Sequence, residues 1–110
     1  MKIVMILVLT SLTSSLLFAE TGSHYCSSDA MHRASRLLSF HVGGNDRIVI
    51  DEMVMVRKPL PNPASTKQIL DVLEVEGGIY KGEYRMRFIY ARIPGRCVLM
   101  GQEILEFAVL

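Results

Sequence analysis

Three observations predict an α+β domain: one N-terminal helix packed on a four-stranded antiparallel meander and stapled by one disulfide. Apolar residues recur at helical spacing in a single stretch near the N-terminus. They alternate with a period of two through most of the chain beyond that stretch. Two cysteines, Cys26 and Cys97, bracket the patterned region.

Ahead of the domain, Met1–Ala19 has one positive charge at Lys2, an apolar run from Ile3 to Leu9, a Ser/Thr-softened stretch and the small residue Ala19 before Glu20. This is the layout of a secretory signal peptide cleaved after Ala19. A membrane anchor fits less well, because Thr10, Ser11, Thr13, Ser14 and Ser15 interrupt the run before it reaches the roughly 20 apolar residues of a span. Residues 20–110 then form one domain of an exported protein, periplasmic or secreted, with no membrane span after cleavage. The chain is half hydrophobic with a formal charge of +1, and removing Lys2 leaves basic and acidic residues in balance. Balance argues against a nucleic-acid binder, whose affinity rests on basic excess.

A domain this small gains from a covalent constraint. In an oxidising compartment Cys26 and Cys97 have only one pairing, a disulfide closing most of the domain into a loop. A metal site or a reactive thiol is the weaker alternative, since no second Cys or His lies at ligand spacing.

The helix is expected over Asp29–Val42. Ser27 or Ser28 stands as N-cap, Asp29 suits the helix dipole, Ala30, Ala34, Leu37, Leu38 and His41 form one stripe, and Gly43–Gly44 end it. From Arg47 the period becomes two, with Ile48, Ile50, Val54 and Val56 on one side and Val49, Met53 and Met55 on the other. That predicts a strand covered on both faces. Arg57–Thr66 contains three prolines and is expected to be a loop.

Two hairpin registers compete next. A turn at Gly77–Gly78 sets Leu73 against Gly82; a turn at Lys81–Gly82 sets Leu73 against Tyr90, Val75 against Phe88 and Glu76 against Arg87. The second pairs apolar with apolar and opposite charges with each other, so Gly77–Gly78 becomes a bulge or bend inside the strand. Ile93-Pro94-Gly95-Arg96 fits a type II turn and brings Tyr90 opposite Leu99 and Ile89 opposite Met100. Cys97 then shares the helix-side face with Leu99, Tyr90 and Phe88, within reach of Cys26.

Chemistry-bearing constellations are sparse. His24, His32 and His41 do not converge, Asp51 and Glu52 point to opposite faces, and Ser23-His24 lacks an orienting acid. No P-loop, dinucleotide fingerprint or zinc-protease motif occurs, so neither an enzyme nor a cofactor is expected. The sheet face away from the helix is more informative. It would present Val72, Ile89, Ala91, Val98, Met100 and Ile104 among Glu74, Glu76, Arg85, Arg87, Gln102 and Glu106. An apolar centre ringed by charge is either a protein contact site, including a homodimer surface, or is covered by the proline loop or the N-terminal lead. Pro59–Ser65 with Arg92 and Arg96 forms a second candidate, since loops on a rigid sheet often carry recognition.

This layout resembles the small periplasmic family containing YebF and the immunity protein against colicin M. The shared features are a leader, a cysteine directly before one helix (Cys26-Ser27-Ser28-Asp29), a four-stranded antiparallel sheet and Cys97 near the start of the last strand. The stretch from Lys67-Gln68-Ile69-Leu70 to Val75-Glu76-Gly77 is similar in character to that family's second strand. The aromatic strand Tyr84–Tyr90 and the apolar tail Phe107–Leu110 depart from it. The resemblance implies a non-catalytic immunity protein that blocks a toxin directed at the cell wall. Inhibitors of lysozyme are a related solution, but Gly77-Gly78-Ile79-Tyr80 lacks the serine of their binding loop. The expected function is therefore an exported immunity or inhibitor protein acting by occlusion, with Ile89, Met100, Val98, Arg85, Arg87, Arg92 and Arg96 as candidate partner-binding residues. The alternative is a structural or self-associating subunit of an envelope or secretion assembly.

Overall fold

The computed structural model describes residues 24–44 and 47–109. The expected signal peptide lies outside the described residues. The order of elements is α1 (Ser27–Val42), β1 (Val49–Ile50), β2 (Met55–Asn62), β3 (Ser65–Ile79), β4 (Gly82–Ile93) and β5 (Arg96–Val109). The sheet is antiparallel in the order β1-β3-β4-β5, and β2 also pairs with β3. β1 and β2 thus lie end to end along one edge of the long β3, so the meander has four rows, the first of them broken.

The helix starts two residues earlier than its periodicity indicates. Cys26, not a serine, is its N-cap, and no side chain caps it. The Ala30 N–H donates to the Cys26 carbonyl, and the Ser27 N–H to that of His24. Gly43 closes the helix with φ +87°, a conformation that favours glycine. Ala30, Ala34 and Leu38 are buried against β3 and β4, where Leu73, Val75, Tyr84, Met86, Phe88 and Tyr90 join them in the core, with Cys26 and Val54 completing it. Small residues on the helix let it lie close to the aromatic side chains of β4. Two polar contacts fix its angle: Tyr90 Oη and Arg33 Nε both donate to Asp29 Oδ2, each at 2.7 Å.

The segment from Arg47 to Val56 is a broken edge rather than a strand covered on both faces. Val49 and Met53 are exposed. After Ile50 pairs with Gly77, the Asp51 N–H still reaches the Glu76 carbonyl, but the next pair is Met55 with Glu74. Two extra residues therefore leave the ladder. The Asp51 carboxylate, accepting from the Met53 N–H at 3.2 Å, turns the chain there, and Val54 is tucked into the core.

The proline stretch also differs from expectation. Pro59 and Pro61 lie within β2, and the connection to β3 is a tight turn at Pro63–Ala64 in which Asn62 Oδ1 accepts from the Ala64 N–H. β2 is an edge strand, where a missing N–H costs little, and the ladder shifts register around both prolines.

In the β3–β4 hairpin the turn is Tyr80–Lys81, two residues displaced in register from the expected pairing. Leu73 faces Phe88, Val75 faces Met86, and Glu74 and Glu76 face Arg87 and Arg85. Both strands keep the expected faces because the displacement is even. This register pairs two glutamates with two arginines instead of one with one. Gly77–Gly78 form no bulge against β4. A Cβ on Gly77 would stand 2.9 Å from Ile50 Cδ1, 3.1 Å from Leu38 Cδ2 and 3.2 Å from the Val49 carbonyl, so glycine is required where α1 and β1 close on β3.

The Pro94–Gly95 turn forms as expected, with Gly95 at φ +76°, and Tyr90 does face Leu99. Ile89 faces Gly101, not Met100, because Met100 is the extra residue of a bulge. Beyond it the alternation of β5 inverts. Gln102, Ile104 and Glu106, expected on the open face, pair with the helix-side residues Phe88, Met86 and Tyr84, while Glu103 and Leu105 face outward with Arg87 and Arg85. The disulfide between Cys26 and Cys97 spans 71 residues with its Cα atoms 5.6 Å apart, tying the start of α1 to the start of β5.

Candidate functional site

The face of the sheet away from α1 is built by β3, β4 and β5 with Arg57 of β2, and among the described residues no helix or strand packs over it. The proline segment does not cover it, being itself the edge. Lys67 to Ile79 and Gly82 to Ile93 alternate so that Val72, Glu74 and Glu76 sit beside Arg85, Arg87, Ile89 and Ala91. Val98, Glu103 and Leu105 complete the third row.

Glu74 is the centre of this face. Its side chain has no exposed surface although no element covers it. Arg57 Nη2 donates to Oε2 at 2.9 Å, Arg87 Nε to Oε1 at 2.9 Å, and Arg85 Nε lies 3.3 Å from Oε2. The three arginine side chains around it are themselves each a third or more exposed, although Arg57 Nε and Arg85 Nε are buried. Burial alone would raise the Glu74 pKa. Hydrogen bonds from Arg57 and Arg87 and the charge of Arg85 outweigh it and hold the carboxyl below its usual value. Two outer carboxylates extend the network, Glu76 to Arg85 and Glu103 to Arg87, each at 3.8 Å. The Arg85 guanidinium also stacks over the Phe107 ring at 4.8 Å.

Beside the network is an open depression of about 550 Å³, mostly apolar in its lining. The backbone of Gly77 and Gly78 contributes to it, with Val49, Ile79, Tyr80 and Phe107 around it and Arg47, Asp51, Glu76 and Glu83 at the rim. Tyr80 and Val49 are largely exposed. The arrangement is an apolar hollow next to a rigid, charge-balanced patch. It offers ion pairs, hydrogen bonds and a place for an apolar anchor.

Of the residues singled out in the sequence, Ile89, Val98, Arg85 and Arg87 come together on this face. Met100 is at the bulge and half exposed. Arg92 lies on the opposite face, and Arg96 lies at the end of this one. Arg92 donates twice to Asp71 Oδ1, at 2.9 and 2.7 Å, on the helix side, and Arg96, exposed, is the first residue of β5, paired with Ile93. Sequence spacing does not single out Glu74 as the hub or place Arg57 beside it; the correct hairpin register would identify the first. It also misses the acid that orients His24. His24 Nε2 lies 3.1 Å from Asp71 Oδ2, while Nδ1 accepts from the Cys26 N–H at 2.9 Å, and Tyr25 stacks on the ring at 4.5 Å. Burial would raise the Asp71 pKa, but Arg92 and His24 together lower it. With both ring nitrogens engaged, this cluster fastens the N-terminal segment beside the disulfide. Among the described residues no group of three or more His, Cys, Asp or Glu is placed to hold a metal ion, and no helix is long and apolar enough to cross a membrane.

Compared with known proteins, the chain matches no family model, no curated protein and no solved structure.

Proposed function

We propose that the protein is an exported binding protein that acts by occlusion, covering the active surface of a partner protein with the open face of its sheet. The observation that carries this reading is the uncovered face itself: a rigid Glu74–arginine network beside an apolar hollow, on the side of the sheet that α1 leaves bare. Contiguous apolar surface rimmed by charge is what protein contact sites present. The hollow would take an aromatic or aliphatic anchor, and such anchors supply most of an interface's affinity. The ring of Arg57, Arg85, Arg87, Glu76 and Glu103 would set orientation and association rate. The leader-like Met1–Ala19 and the disulfide support export to the periplasm or beyond. The resemblance to the colicin M immunity family points to an immunity or inhibitor protein, with a toxin or enzyme acting on the cell wall as partner.

Binding is tested with the oxidised protein carrying Leu105→Asp or Ile89→Asp. Either variant should keep the melting temperature within a few degrees and lose the partner; a folded variant that binds unchanged would remove this face from the reading.

A further inference from the structure

The two long edges of the sheet are protected unequally. β2 carries Lys58, Pro59 and Pro61, residues that hinder another strand from adding. β5, the opposite edge, is bulged at Met100 and Phe107, as β2 is irregular at its prolines, but it has neither proline nor lysine in its 14 residues and pairs only with β4 among the described elements. Its outer N–H and carbonyl groups form a template whose natural occupant is another β-strand.

The charges along β5 indicate which strand. Arg96 begins it and Glu103 lies seven residues on; before and after the bulge, both project to the open face. Arg96 has no ion pair among the described residues, and Glu103, largely exposed, touches Arg87 only at 3.8 Å. We infer that β5 pairs antiparallel with β5 of a second copy of this chain. That direction sets each Arg96 alongside the partner's Glu103, whereas parallel pairing would put like charges together. The two open faces then become one continuous surface on a joined sheet, and because the contact is isologous it closes as a dimer.

The test is sedimentation of the full oxidised protein across a concentration series, with charge-swapped variants. The wild type should be a dimer that dissociates on dilution. Arg96→Glu and Glu103→Arg should each weaken it about tenfold or more, from like-charge contact, and the double swap should restore it. Both residues are solvent-exposed, so circular dichroism should show folded variants. A wild type that stays monomeric at all concentrations overturns the proposal, as does a dimer indifferent to the swaps. A dimer abolished by Ile89→Asp but not by Arg96→Glu overturns it too, by placing the contact on the face.

Discussion

Glu74 shows how a charge survives burial on an uncovered sheet face. Three arginines supply its counter-charge, and each of their side chains is a third or more exposed. Removing the carboxylate leaves three like charges crowded together. Allowing for the exposure of the arginine side chains, Glu74→Gln should cost about 2 kcal/mol, read as a lower denaturation midpoint with unchanged slope. Acid should act through the same group. Glu74, Asp71 and Asp29 all have folded pKa values below their usual ones, in each case because arginine partners overcome the upward effect of burial. A depressed carboxyl contributes stability that is present above its unfolded pKa and is lost as pH falls through the folded value. Stability should therefore be level near neutrality and fall below about pH 4, in thermal melts taken across the acid range. Tyr90 acts in the opposite direction. Burial, then its hydrogen bond to Asp29, raise its pKa, so its contribution is present below about pH 10 and lost above that as the unfolded phenol ionises.

At the scale of elements, the features legible in the sequence are those set by short-range chemistry. The stripe Ala30, Ala34 and Leu38, the glycine stop at Gly43 and the Pro94–Gly95 turn each depend on residues a few positions apart, and each forms where the pattern puts it. The departures share a different cause. Pro59 and Pro61 exclude a central strand but not an edge, and only the position of β2 in the sheet decides between edge and loop. The Met100 bulge inverts the faces of half of β5, and no local residue announces it. Unbroken alternation therefore puts Ile104 and Glu106 on the open face, where the bulge puts Leu105 instead. Gly77 reads as a bulge because its true requirement, the approach of Leu38 and Ile50, is tertiary. Gly77→Ala should therefore destabilise by about 1 to 3 kcal/mol, the range for overpacking, whereas a glycine needed only for a bend would tolerate alanine. Chemical denaturation of the variant decides between the two.

Among the described residues the molecule has one helix for a sheet with two faces. The disulfide commits that helix to one side by joining Cys26 to Cys97, and the His24–Asp71–Arg92 cluster holds the N-terminal segment beside it. Cys97→Ser should cost about 2 to 4 kcal/mol, visible as a melting point lower by ten degrees or so, and reduction should lower the wild type alike. What remains is a face over which, among the described residues, no helix or strand packs. The central claim, that this face binds a partner protein, is tested most directly by capture from envelope extracts of the producing cells. Tagged wild type is compared with Leu105→Asp on the open face and with Phe40→Asp, whose ring is exposed on the helix, which packs on the other face of the sheet. The account predicts one protein retained by wild type and Phe40→Asp and lost by Leu105→Asp; equal retention by all three, or retention by none, would contradict it.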